Sequence, residues 1–549
     1  MNGGMGFATI DYIIFIAYAI LILSIGLFVS RKKKGVERNA EDYFLAGKTL
    51  PWWAIGASLI AANISAEQMI GMSGSGMAIG LAIASYEWMA AITLIIVGKY
   101  FLPVFIEKGL YTIPQFIEKR YSTNLKTILA VFWIGLFIFV NLTSVLFLGG
   151  KAIDTILGNG DGSMIFPAII ALACFAAAYS IYGGLAAVAW TDVVQVTLLV
   201  IGGFITTIIA LNHVTPDGGI FQGLSHVYET AGDKFHMILK KDNPEFMNLP
   251  GIAVLIGGMW VANLYYWGFN QYIIQRTLAA KSLKEAQRGI MFAAFLKLLI
   301  PLFVVVPGII AYVMFTDPAG TAMIDGVKDA FTKADGSMNY DKAYPWLIDT
   351  FIPAGLKGLV VAALAAAIVS SLASMINSTA TIFTMDIYKP YLENKKAKNK
   401  DVTVGRISGA LALLVAVFVA PALGNIDQAF QYIQEYTGLV SPGILAVFML
   451  GLFYKKATNK GAIIGILVSI PVALLLKVPS LELPWMDQMF YTFLITMAVI
   501  ALVSLSTNKM DDDPKGISFT NKMFHTGPVF NISAYAVLII LVVLYAVFW

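Results

Sequence analysis

The chain alternates long apolar runs with short polar stretches, and fourteen of the runs read as membrane spans of ~20 residues. They lie at Ile10–Ser30, Pro51–Gly76, Leu81–Ile106, Leu125–Ile153, Met164–Tyr182, Ala186–Leu211, Ile252–Gln271, Gly289–Phe315, Phe351–Met385, Ile407–Leu423, Ile426–Phe453, Gly461–Leu476, Met486–Ser506 and Phe530–Trp549. The second span contains GASLIAANISAEQMIGMSGSG, with Asn63, Ser65, Glu67 and Gln68 at its middle and three glycines after them. An unmet polar group in hydrocarbon costs several kcal/mol, so such a stretch belongs beside a buried cavity. It predicts a broken helix whose freed carbonyls help to hold a cation. Five spans later, GIAVLIGGMWVANLYYWGFNQ carries Asn263, Asn270 and Gln271 among aromatics. Two interrupted spans at matching places predict inverted repeats with a site at the midplane.

Charge supports the order of the spans. Basic residues cluster after the first span (Arg31, Lys32, Lys33, Lys34, Arg38), the third (Lys108, Lys119, Arg120, Lys126) and the seventh (Arg276, Lys281, Lys284, Arg288). They recur after the ninth (Lys389, Lys395, Lys396, Lys398, Lys400, Arg406) and the eleventh (Lys455, Lys456, Lys460). The positive-inside rule makes these loops cytoplasmic and puts both termini outside. The long connections over 212–248 and 316–349 then lie outside as well.

Composition narrows the class further. Of 549 residues, 58% are hydrophobic and 13% charged, against about 25% charged in soluble domains. The reading is an all-α, polytopic membrane protein. A net charge of +4 gives no argument for a nucleic-acid partner. The single cysteine, Cys174, cannot form a disulfide framework and reads as a small packed residue. The N-terminal MNGGMGFATIDY lacks a basic signal-peptide region, so the first apolar segment is expected to remain as a span. Four histidines and no His/Cys cluster argue against an enzyme.

Candidate chemistry concentrates on seven spans. Ala367, Ser370 and Ser371 share one face of the ninth span. Facing the carbonyls of Ala61 and Ile64, they would form a cage of neutral oxygens suited to sodium; alternatively the serines bond back to their own helix. Glu87 and Lys297 are charges inside apolar runs, either addressing a polar solute or forming a structural ion pair. Asn263, Tyr265, Tyr266 and Trp267 combine amides with flat rings, as a sugar site requires; packing is the other reading. Phe430 and Gln434 share a face at the start of the eleventh span and either cover a site or pack. Asp192, in AWTDVVQ, is either a stepping stone for a departing ion or a helix-start carboxylate. Met72 and Tyr86 read as ordinary packing residues.

EDYFLAGKTLPWWAIGASLIAANISAEQ, YSIYGGLAAVAWTDVVQ, ANLYYWGFNQYIIQRTLAAKSLKEAQRG, AALAAAIVSSLASMINSTATIFTMDIY and FQYIQEYTGLVSPGILAVF make the chain resemble the sodium/solute symporter family, and its bacterial galactose carriers in particular, nearly end to end. The resemblance implies the leucine-transporter fold, with two inverted five-helix repeats and alternating access. The expected division is an extra helix and loop over 1–50, repeats at 51–212 and 250–454 separated by an outer loop at 213–249, and three further helices over 455–549. It implies sodium ligands at Ala61, Ile64, Ala367, Ser370 and Ser371, and sugar contacts from Asn63, Gln68, Glu87, Asn263, Lys297 and Gln434. Tyr266 would stack on the sugar as an inner gate beside Trp267, Met72, Tyr86 and Phe430 would form an outer gate, and Asp192 would lie on the ion exit route. Ala90 replaces a serine that contacts sugar in the galactose carriers, which leaves the hexose open. The expected function is sodium-coupled import of a hexose, galactose or glucose, across the inner membrane. Alternatives are a symporter for an amino acid or sialic acid, and a proton-coupled carrier using Glu67, Glu87 or Asp192.

Overall fold

The computed structural model describes residues 7–31, 39–158, 160–215, 217–316, 327–333, 336–393, 400–424, 429–508, 511–520 and 522–549. The expected start of the eleventh span at 426–428, and Lys32, Lys33, Lys34, Arg38, Lys395, Lys396 and Lys398, lie outside them. Among the described residues there are helices but no strand beyond the isolated bridges Leu50–Ala280 and Thr332–Met338. Helices satisfy every backbone group within one segment, which is what a bilayer demands.

The main helices are α1 (Thr9–Val29), α2 (Trp52–Asn63), α3 (Ser73–Ala78), α4 (Ser85–Ile96), α5 (Thr123–Leu136), α6 (Thr143–Leu157) and α7 (Ile165–Val214). They continue as α8 (Gly258–Phe269), α9 (Gln271–Leu278), α10 (Leu283–Thr316), α11 (Leu356–Ile382), α12 (Asp401–Val419), α13 (Ala429–Gly438), α14 (Ser441–Phe453), α15 (Asn459–Leu476), α16 (Trp485–Thr507) and α17 (Pro528–Val547). Among the described residues, ten helices or runs of joined helices are long and apolar enough to cross a membrane. The run containing α11 is the axis of the bundle: 94% of its apolar window is buried, against 17% for α1 and 22% for α17. The outer helices turn Ile13, Ile20, Ile532 and Ile539 outward, as lipid-facing helices should.

The second span breaks where its polar residues predict. Helix α2 ends at Asn63, Ile64 is extended (φ −80°, ψ 104°), and Glu67–Met72 forms a π-helical turn before α3. The seventh span breaks at Asn270 (φ −84°, ψ 121°), between α8 and α9. The Gln271 side chain braces that break, accepting from the Ile113 amide at 2.8 Å and donating to the Tyr111 carbonyl at 3.1 Å. A third break, between α13 and α14, is a finding. Pro442 at the start of α14 cannot donate to the preceding turn, so the helix restarts there.

Two close approaches fix how neighbouring helices pack. A Cβ on Gly308 of α10 would lie 2.0 Å from the Ser73 carbonyl oxygen, so only glycine lets α10 meet α3 at this distance. Gly184 turns α7 with φ 66° and ψ −159°, and a Cβ there would lie 2.4 Å from the Tyr43 carbonyl oxygen. The expected fifth and sixth spans are thus the two arms of one kinked helix. Its 50 residues, at ~1.5 Å each, are more than twice a ~30 Å hydrocarbon core.

Four residues depart from expectation. Cys174 is exposed on α7 rather than packed. Arg276 and Arg120, counted above among loop charges, are buried, and so is Lys126. Each is held by partners: Arg120 donates to the carbonyls of Gly451 and Ala457 at the end of α14, and Lys126 pairs with Glu118 at 2.7 Å.

Candidate functional site

A cavity of about 70 Å³ opens beside the α2 break, several times the ~10–15 Å³ that one water needs. Asn63, Gln68, Glu87, Asn263, Tyr266, Trp267, Lys297, Gln434, Tyr86 and Phe430 all line it. Lys297 on α10 is the hub. Its ammonium donates to the carboxylate of Glu87 on α4 and to the side-chain oxygen of Asn63, and lies 4.9 Å from the Trp267 ring centroid. A buried lysine is tolerated only when paired in this way. Asn63 also donates to the Tyr266 hydroxyl at 2.9 Å, and Tyr272 donates to the same hydroxyl at 2.8 Å. One network therefore spans α2, α4, α8, α9 and α10.

The remaining residues are held by their own neighbours. Gln68 accepts from the Ser65 amide and hydroxyl at 3.0 and 2.9 Å, which caps the bend after Ile64. Asn263 donates to the Met259 carbonyl, 3.2 Å away on its own helix. Tyr86 and Phe430 meet edge to face with centroids 4.9 Å apart, and both line the cavity. Met72 is buried but does not line the cavity, and neither does Ala90.

The other side of the α2 break faces α11. The Ser371 hydroxyl lies 3.1 Å from the Ala62 carbonyl oxygen and 3.4 Å from that of Ala61. A hard cation holds oxygens at ~2.3–2.6 Å, so adjacent ligands stand ~3–4 Å apart. These oxygens are spaced accordingly, and the donor set of carbonyls and hydroxyls suits a monovalent ion. Ser370 turns its hydroxyl to Asp192 at 2.5 Å, and Ser58 donates to the other oxygen of the same carboxylate at 2.5 Å. The Arg276 guanidinium lies 3.8 Å from Asp192, donates to Ser58 at 3.0 Å and also reaches Ser374. Ser370 therefore joins the oxygen cluster to a buried ion pair. Ala367 is buried one turn before Ser371 on the same helix.

Sequence reasoning missed several lining residues. Asn141 stands in FIFVNLTS as a lone amide in an apolar run, a signal that was there to read. Tyr272, Thr437, Ser441 and Met489 line the cavity with no sequence signal, because long-range packing brings them there. Arg276 was hidden by its place among loop charges.

The profile of the "Sodium:solute symporter family" matches residues 43–469. The chain is 64% identical over 544 residues to the "Sodium/glucose cotransporter" of Vibrio parahaemolyticus, covering 99% of both chains. It is 34% identical to the "Sodium/myo-inositol cotransporter 2" of Bos taurus, over 84% of this chain and 69% of that one. Its backbone matches the outward-open structure of a Na+-coupled sialic acid symporter with a TM-score of 0.76 at 23% identity, covering 90% of this chain and 98% of that one, so the two share a fold. The chain belongs to the sodium:solute symporter family.

Proposed function

We propose that the chain imports a hexose together with sodium by alternating access. The observation that carries this reading is the pairing of two unlike sites on one broken helix. A polar hollow with amides, a Lys–Glu pair and aromatic faces lies on one side of the α2 break, and converging neutral oxygens lie on the other. Glucose and galactose are the leading cargoes, in line with the Vibrio parahaemolyticus relative.

Ala61, Ile64, Ala367, Ser370 and Ser371 hold the sodium in this reading. Asn63, Gln68, Glu87, Asn263, Lys297 and Gln434 take the sugar hydroxyls. Tyr266 stacks on the sugar as the inner gate with Trp267 beside it, Tyr86 and Phe430 close the cavity from outside with Met72 behind them, and Asp192 receives the departing ion. Sodium stiffens the extended turn at Ile64 and so shapes the wall that carries Asn63 and Gln68. Losing the ion loosens that wall and releases the sugar, which is coupling through differential affinity for two states. One charge crossing ~100 mV yields about 2.3 kcal/mol, and a tenfold sodium gradient adds about 1.4 kcal/mol.

Counting α7 as two crossings and adding the three interrupted segments supports the expected fourteen spans; the proposed repeats run over 51–212 and 250–454, and the proposed orientation keeps both termini outside. Reconstitution in liposomes tests the function. An inward sodium gradient should drive accumulation of labelled glucose or galactose, and collapsing the gradient should abolish it. Equal uptake with potassium in place of sodium would overturn the reading.

A further inference from the structure

One carboxylate on the cavity wall is left over by this account. Glu67 opens the π-helical turn after the α2 break, is 9% exposed, and lines the cavity. Among the described residues it forms no ion pair, since Lys297 is taken by Glu87 and Asn63. Its one hydrogen-bond donor there is the Ser144 hydroxyl of α6, at 2.6 Å. That hydroxyl also lies 3.0 Å from the main-chain oxygen of Asn141. Asn141 belongs to a second π-helical turn, Phe137–Leu142, and its side-chain oxygen is buried without a donor on the same cavity. Two π-turns, a kind of irregularity frequent at functional sites, thus bring a carboxylate and an orphaned amide oxygen to one wall.

This wall is rich in acceptors and lacks a cation. A buried membrane carboxylate calls for a partner, and an ammonium group supplies one positive charge with three donors. We propose that the cavity accepts a hexose bearing an ammonium group in place of one hydroxyl, with Glu67 as its counter-charge and Asn141 as a second acceptor. The inference rests on the hexose reading above and names a further substrate class for the same cavity. The Lys297–Glu87 pair, being matched already, handles neutral hydroxyls. Glu67 adds selection for charge on the other wall.

The test is competition against labelled glucose for sodium-driven uptake in proteoliposomes, using glucose derivatives with the amine at C2, C3, C4 or C6. At least one amino derivative should compete ~10-fold better than the deoxy sugar lacking that hydroxyl. Its affinity relative to glucose should fall ~10-fold in Glu67→Gln, which keeps the side-chain shape and removes the charge. The wild-type series alone decides the matter if the variant fails to fold. The proposal is overturned if no amino derivative outcompetes its deoxy counterpart, or if the preference survives in Glu67→Gln. It is equally overturned if the number of sodium ions carried per sugar falls in the variant, which would make Glu67 a metal ligand. Failure of glucose itself to be taken up would instead sink the hexose reading.

Discussion

The two sides of the α2 break are built on opposite electrostatic plans. On the cavity side a lysine and a glutamate meet directly, amides and phenols surround them, and a hollow remains. On the α11 side the oxygens at Ser371, Ala61 and Ala62 are uncharged and tightly spaced, and the nearest charges, Asp192 and Arg276, stand behind Ser370 and neutralise each other. The first plan suits a solute with many hydroxyls in several directions. The second suits a small ion that brings its own charge and needs only dipoles around it. A short extended turn separates them, so a movement of Ile64 is felt by both.

The largest expected effect comes from breaking the charged plan. Removing one partner of a buried ion pair costs about 3–5 kcal/mol, because the other charge is left uncompensated. Lys297→Met should therefore weaken sugar binding ~100-fold or more while shifting half-saturating sodium far less. Pairing it with Glu87→Gln should restore thermal stability without restoring sugar binding. Measuring sugar and sodium affinities separately in both variants decides this, and equal damage to both ligands would show that the two sides are not distinct.

A smaller effect is expected from the neutral plan. Ser371→Ala deletes one uncharged oxygen and leaves the carbonyls of Ala61 and Ala62 in place. Half-saturating sodium for uptake should rise ~10-fold, equivalent to about 1.4 kcal/mol, and sugar affinity at saturating sodium should stay within about twofold. Unchanged sodium activation would remove Ser371 from the ion site and leave its contact with Ala62 a packing detail.

The unequal legibility of the molecule follows from the same contrast. Helix breaks at Ile64 and Asn270 were readable because polar residues in an apolar run have few places to go. Glu87 and Lys297 were readable for the same reason, although their direct pairing required the fold. Arg276 was misplaced because a charge close to a span end looks the same whether it turns to water or inward to Asp192. Tyr272 and Met489 carried no signal, since an aromatic or a methionine in an apolar helix does not announce which neighbour it will meet. The break before α14 was announced only by Pro442, read as part of a continuous span.

The smallest effect belongs to the cover. Tyr86 and Phe430 touch edge to face across the end of the cavity proposed to face outside, and such a pair contributes about 0.5–1.5 kcal/mol beyond its buried area. Neither ring is hydrogen-bonded to the polar network, so losing one should leave the Lys297–Glu87–Asn63 arrangement intact. Phe430→Ala should then speed sugar release toward the outside by roughly three- to tenfold, with little change in sodium dependence. Phe430→Leu, which keeps apolar bulk without a ring edge, should fall between it and the wild type. Exchange of labelled sugar across liposomes under equal sodium on both sides reads this directly. If Phe430→Ala instead changes half-saturating sodium as much as Ser371→Ala does, the cover is mechanically tied to the α11 side, and the two halves of the site are one unit rather than two.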